Sequence, residues 1–317
     1  MSVSRNRAWI TWIVWAENIA VVFIIALAFY TTIPIRTTPT VFIPKGSIGN
    51  IITHLTKKGY ELSIVDKYLL EFIGKPQSGW IYIGKNNLNR IDFLYKLTSA
   101  KAIIDKVTLV PGETSIIFFK KLAEDLDLNK TKLNSYYNEL SFYPEAGIYS
   151  DTYHVPHGIK EKNLMQFLIR ESEKMYKNIS KKVYGSYDEK QWLRVLTIAS
   201  IIQKEAAGNS EMRLVSSVIY NRLKKGMRLQ MDGTLNYGKY SHIRVTPERI
   251  RSDTTTFNTY KHKGLPTSPI GSVSISSIKA AISPASTDYL YFMKNKNGKH
   301  DFSKTYKAHR KNIRKVK

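Results

Sequence analysis

Apolar residues fall along this chain in three ways: one unbroken run near the start, then short segments with strand or helix period, then a polar stretch rich in glycine and tyrosine that ends in lysine and arginine. The unbroken run, AWITWIVWAENIAVVFIIALAFY at residues 8–30, has 23 residues and one charged side chain, Glu17. It predicts a helix long enough to cross a bilayer. Glu17 and Asn18 interrupt it, either as a helix–helix contact or as a tolerated polar defect. Arg5 and Arg7 precede it without an acid, whereas residues 31–44 offer only Arg36. That bias places residues 1–7 in the cytoplasm and the rest outside it. Ala26-Leu27-Ala28 resembles a signal-peptide cleavage site, so a cleaved leader is the rival reading. Both readings export the remainder of the chain.

Residues 31–40 are polar and proline-bearing, a linker. Residues 41–105 then read as strand, helix, helix, strand, helix: a short strand from Val41, a helix opening at Ser47 or Asn50 with Ile51, Ile52 and Leu55 apolar, a second helix with Leu69, Leu70 and Phe72, the strand GWIYIGK at 79–85, and the helix IDFLYKLTSAK. A strand at Val107 leads to an amphipathic helix through Leu122 and Leu126, capped by Thr114 or Ser115. A further helix covers 164–176, followed by a basic, polar segment.

The strongest helical period lies at residues 191–226, QWLRVLTIASIIQKEAAGNSEMRLVSSVIYNRLKKG. Trp192, Val195, Ile198, Ile201 and Ile202 recur at spacings of three and four, Leu193, Leu196 and Ala199 widen the face, and Gly208 and Asn209 supply a stop. The next helix turns Leu214, Val215, Val218, Ile219 and Leu223 inward. It sets Arg222, Lys224 and Lys225 near its negative end and meets Gly226, suited to a left-handed exit.

Composition narrows the chemistry. The 317 residues allow two or three compact units, and 43% hydrophobic residues suffice to bury cores. No cysteine is present, which excludes disulfides, thiolate zinc sites and cysteine nucleophiles. His154 and His157 have no third ligand in view and HExxH is absent, so no metal or other cofactor is expected. A net charge of +24 attracts an anionic partner of some kind. It matches no nucleic-acid-binding module, and an exported domain rarely meets nucleic acid, so none is expected as partner.

Glu205 continues the apolar face of the 191–205 helix, three and four residues beyond Ile202 and Ile201. A carboxyl there is either on a solvated rim beside Lys204 or desolvated, and desolvation raises its pKa and makes it a proton donor near neutral pH. Beyond it come MRLQMDGTLNYG at 227–238, FNTYKHKGLPTSPI at 257–270 and IKAAISPASTDYLYFMKNKNGKHDFSKTYKAH ending at 309. In this order and spacing the chain resembles the endolytic murein transglycosylases of the MltG, or YceG-like, family over its last two thirds. EAGIYSDTYHV at 145–155 stands where that family carries Glu-Gly, an aromatic pair and Pro-Asp-Thr-Tyr, with Ala146 and Ser150 departing from glycine and proline. Gly233 stands in place of a further proline, and Thr267, Val273 and Ser274 depart too.

The resemblance implies an α+β fold: an N-terminal transmembrane helix (8–30) after a cytoplasmic N-terminus (1–7), a linker (31–40), a small LysM-like α+β subdomain (41–105) and a larger mixed α+β catalytic domain (106–317). It implies a single-pass protein of the cell inner membrane, with the catalytic domain periplasmic, cutting within nascent peptidoglycan glycan strands. Glu205 matches the catalytic glutamate, acting as acid and then base while the muramic acid's own 6-hydroxyl attacks and yields a 1,6-anhydro end. Gln230, Asp232, Thr234, Tyr237, Asn258 and Tyr260 match substrate-side positions, with Glu145, Asp151 and Tyr153 further groove candidates. An Asp151 that merely bonds its own backbone in a turn is the alternative there. Expected partners are the glycan strand, the lipid bilayer through residues 8–30, and peptidoglycan synthases or division proteins. A noncatalytic, membrane-tethered glycan binder or scaffold is the rival function. From Lys294 to Lys317 ten Lys or Arg accompany one Asp, either a solvated tail or an electrostatic contact for stem-peptide carboxylates or anionic lipids.

Overall fold

The computed structural model describes residues 2–84 and 87–316. Lys85, the expected end of the 79–85 strand, lies outside the described residues, as do the side chains of Arg5 and Arg7. The chain forms two compact units, residues 1–105 with 156–158, and residues 106–155 with 159–317.

The first unit begins with α1 (Ser2–Thr32), whose segment Trp12–Thr32 has mean hydropathy 2.1 and no buried part. A helix apolar on every side and left uncovered is what a membrane anchor and a signal sequence share. Residues 31–40, expected as a linker, instead supply β1 (Pro34–Arg36), whose Ile35 is fully buried. It pairs antiparallel with β4 (Asn87–Asn89), and β2 (Thr40–Ile43) pairs antiparallel with β3 (Gly79–Tyr82). Against these pack α2 (Ile48–Lys57), α3 (Ile64–Ile73) and α4 (Arg90–Ser99), which close a core of Val41, Ile43, Ile51, Leu55, Leu70, Ile81 and Phe93. Ser47, not Asn50, caps α2 by accepting from the Asn50 N–H. Phe72 does not join this core; it is 92% exposed. Asp66 and Arg90 form a buried ion pair at 2.6 Å, and the Tyr30 hydroxyl near the end of α1 donates to the same Asp66 oxygen.

The second unit contains most of β5 (Ile104–Thr108) and of β6 (Thr152–Pro156), which pair with each other. Beside them α5 (Ser115–Leu126), α6 (Lys130–Leu140) and α7 (Glu161–Tyr184) enclose Phe118, Phe119, Leu133, Leu164 and Leu168. α7 outruns the expected 164–176 because buried Tyr176 and Ser180 continue its inner face, and Gly185 at φ 76° ends it. The larger core surrounds α8 (Glu189–Glu205), which buries Trp192, Leu196, Ile198, Ala199, Ile201 and Ile202 against α9 (Met212–Lys224) and α11 (Ile275–Ile282). α10 (Pro247–Ser252) is a short helix in the loop region, and β7 (Tyr291–Lys294) and β8 (His300–Ser303) make a hairpin in register Phe292 with Phe302 and Lys294 with His300. The basic C-terminal stretch is not a free tail: it folds into α12 (Tyr306–Val316), packed on that hairpin.

Ala146 has φ 61°, a left-handed backbone that a Cβ disfavours, which explains a glycine preference at that position. Its carbonyl nevertheless accepts from the Tyr176 hydroxyl and holds the turn in the core.

Truncating one partner of the Asp66–Arg90 pair leaves a buried charge without compensation. Arg90→Ala is expected to destabilise the first unit by about 3–5 kcal/mol, and Asp66→Leu with Arg90→Met to recover most of that loss. Hydrogen exchange of the α2–α4 amides measures both.

Candidate active site

Glu205 is the last residue of α8, and the apolar face behind it is buried without a break from Val195 to Ile202. Packing of that face against α9 and α11 carries the carboxyl inward, and the helix ends there because Ala206 turns to an extended conformation. The second element is the turn after α9. Gly226 leaves that helix at φ 63°, and buried Leu229 and Met231 pin the chain on either side of Gln230, itself at φ 47°. The Gln230 N–H donates to the Thr259 carbonyl, and the Met231 N–H to the Thr259 hydroxyl. One short turn later the Gly233 N–H donates to Glu205 Oε1 at 2.7 Å. A Cβ at residue 233 would lie 2.8 Å from that oxygen and 2.9 Å from Lys204 Cβ. The glycine is therefore explained by close approach to the carboxyl, and not by a left-handed backbone.

Glu205 opens on a cavity of about 240 Å³, so water reaches it from one side while protein encloses the others. Burial pushes its pKa up to about 7; the Gly233 N–H pulls down, the Asp232 charge pushes up and Arg222 pulls down, and burial wins. Its place at the negative end of α8 acts in the same direction as burial. Across the cavity the Tyr260 hydroxyl donates to Asp232 Oδ1 at 2.6 Å. A proton-bearing carboxyl, a second carboxyl and a phenol thus share one small polar space, which suits proton transfer beside a developing positive charge.

Of the residues the sequence singled out, Glu205, Gln230, Asp232 and Tyr260 line this cavity. Thr234 and Asn258 are fully buried beneath it: Thr234 donates to the Met231 carbonyl, and the Asn258 amide donates to the carbonyls of Ile250 and Asp253. Tyr237 stacks on Phe257 at 4.3 Å and donates to Asp253. These three shape the loops and do not face the cavity. Glu145, Asp151 and Tyr153 are not brought to it either. The Glu145 carboxyl accepts from the Ser115 N–H and hydroxyl, capping α5 where Thr114 makes no side-chain cap bond. Burial raises its pKa to about 7 against those hydrogen bonds. Asp151 accepts from the Thr152 N–H and the Tyr149 hydroxyl, and Tyr153 is a core residue donating to the Tyr149 carbonyl.

Sequence reasoning missed the opposite wall. Arg222, expected near the negative end of α9, is buried, and its guanidinium donates to the carbonyls of Leu229 and Leu290. The β7–β8 hairpin contributes Phe292, Met293, Lys294 and His300. His300 is fixed by Glu211, which meets its ring Nδ1 at 2.7 Å and its backbone N–H at 3.0 Å. Charged residues at positions 211 and 300 carry no local signal of a partner 89 residues away.

The sequence profile of the YceG-like family matches residues 41–315. The chain belongs to this family. A Bacillus subtilis protein named endolytic murein transglycosylase is 30% identical over 312 residues, covering 87% of this chain and 84% of that protein. A Streptococcus pneumoniae R6 protein of the same name is 33% identical over 167 residues, half of this chain and 30% of its own length. The crystal structure of a yceG-like protein from Listeria monocytogenes aligns with TM-score 0.57 and 26% identity, over 87% of this chain and 99% of that one.

A carboxyl whose folded pKa is raised from 4.5 to about 7 stabilises the fold fully below pH 4.5, and that contribution is lost as pH rises through 7. Glu205→Gln carries no such loss. The variant and the wild type are expected to show a constant stability difference below pH 4.5, with the variant gaining on the order of 1–3 kcal/mol relative to wild type by pH 8, cavity water keeping the figure low. Urea unfolding from about pH 4 to 8 measures it, and a difference that does not change with pH contradicts the raised pKa.

Proposed function

We propose that this YceG-family chain is a membrane-anchored lytic transglycosylase that cuts the MurNAc–GlcNAc bond within nascent peptidoglycan strands, terminating their elongation. The observation that carries the reading is Glu205, a carboxyl with pKa pushed to about 7 by burial, opening on a cavity with Asp232 and Tyr260. The names of the Bacillus and Streptococcus relatives support the substrate class. Because the Gly233 N–H occupies Oε1, the transferable proton sits on Oε2. Protonated Glu205 gives it to the glycosidic oxygen as the bond to the anomeric carbon breaks, and Asp232 and Tyr260 face the oxocarbenium-like centre. The resulting carboxylate then takes the proton of the muramic 6-hydroxyl as that oxygen closes on the anomeric carbon, and the enzyme returns to its starting state. The cycle consumes no water.

Residues 8–30 hold the protein to the bilayer in this reading, with 41–105 a LysM-like unit and 106–317 the periplasmic catalytic domain. Gln230, at the cavity, orients the sugar. One observation favours a second reaction: Asp232 shares the cavity with Glu205, and two carboxyls are what hydrolytic glycosidases use. Glu205 in this setting speaks against a purely noncatalytic scaffold.

Digestion of purified peptidoglycan by the full chain, with products weighed by mass spectrometry, tests both reactions. The expected products are multi-disaccharide fragments with 1,6-anhydro ends, one water lighter than hydrolytic ends, and reducing ends would establish the second reaction instead. Glu205→Gln is expected to lower the rate about a hundred- to ten-thousand-fold with its fold intact, and Asp232→Asn to cost less.

A further inference from the structure

α12 places its residues in two sets. Asn312 donates to Ser303 and His309 stacks on Tyr291 at 5.3 Å, so these side chains fasten the helix to the β7–β8 hairpin. Lys307, Arg310, Lys311, Arg314 and Lys315 all point outward and are exposed. None of the five makes an ion pair among the described residues, and the helix itself contains no Asp or Glu. The positions 307, 310, 311 and 314 follow one helical face, a row about 10 Å long at 1.5 Å per residue.

Two features say what this row faces. The hairpin that carries α12 also walls the Glu205 cavity with Phe292, Met293, Lys294 and His300. Tyr291, under His309 of α12, also lies beneath the Arg222 guanidinium at 5.3 Å, so α12 stands two side chains from the catalytic space. A polymer held in the cavity therefore has this cationic face two side chains away. The second feature argues against a bilayer as the occupant: an interfacial helix exposes large apolar residues for insertion, whereas the outward face of α12 offers cations and a single exposed aromatic, Tyr306.

We propose that the outward face of α12 docks the carboxylates of the peptide stems on the substrate strand, so that the enzyme selects strands that still bear acidic stems over stripped glycan. The proposal rests on the transglycosylase reading for its polymer, and adds to it a substrate preference set outside the cavity. Interactions of this exposed kind are individually weak and screened by salt, so the preference is a low-salt property summed over several contacts.

The test is sedimentation of the full-length Glu205→Gln chain in detergent with two strand preparations, one with stems and one stripped by an amidase. At low salt the stem-bearing strands are expected to bind about tenfold more tightly. That advantage should vanish in high salt and in a chain that also carries Lys307→Gln, Arg310→Gln, Lys311→Gln and Arg314→Gln. Equal binding of the two preparations, or an advantage that persists in the substituted chain, overturns the proposal. So does α12-dependent binding to phosphatidylglycerol vesicles without any stem preference, which would make the face a membrane contact. If the substituted chain melts below the parent, the salt dependence of the parent decides, and a preference surviving high salt overturns it. Because the assay needs no turnover, stem-dependent binding by a chain whose wild type releases no fragments leaves docking standing and rejects the transglycosylase reading.

Discussion

The contact between the Glu205 carboxyl and the Gly233 N–H brings together the two parts of the second unit on which the proposed chemistry depends. One side is the end of α8, driven into the core by an apolar face that α9 and α11 cover. The other is a turn that can approach only because residue 233 has no Cβ. Burial alone would raise the carboxyl's proton affinity with nothing to oppose it. The N–H restrains that rise and claims one oxygen, leaving the other to carry the proton. The family resemblance puts proline at this position, and a proline has no N–H to give.

The opposite wall depends on groups that are charged yet fully engaged. Arg222 ties α9 to the chain at Leu229 and at Leu290, and Glu211 at the start of α9 grips both the ring and backbone of His300. The hairpin is therefore fastened to α9 at both ends of that helix. Its residues line the cavity and also carry α12, so one element links the cavity to the basic surface.

What was legible in the sequence was what repeats locally. The α8 and α9 faces and the Gly226 exit follow from spacings of three and four and from a glycine at a helix end, while the same spacing left Glu205 open between a solvated rim and a desolvated site. Gln230, Asp232 and Tyr260 came from motif resemblance and do share the cavity. Thr234, Asn258 and Tyr153 came from the same source but bond the backbone of neighbouring turns, because a hydroxyl or amide in a loop serves a carbonyl as readily as a sugar. Arg222 and His300 were invisible for the converse reason. Leu290 lies 68 residues from Arg222 and Glu211 lies 89 from His300, and no local pattern separates a buried, bonded charge from a solvated one.

The central claim is that Glu205 is kept protonated near neutral pH by its surroundings. A carbon-13 NMR titration of glutamate-labelled full-length chain, with the Glu205 resonance assigned by its absence in Glu205→Gln, reads this directly. A midpoint near 7 is expected, well above the ordinary 4.5. A Glu205 carboxyl that titrates at 4.5 would contradict the account, since an ionised residue could not open the cycle as an acid.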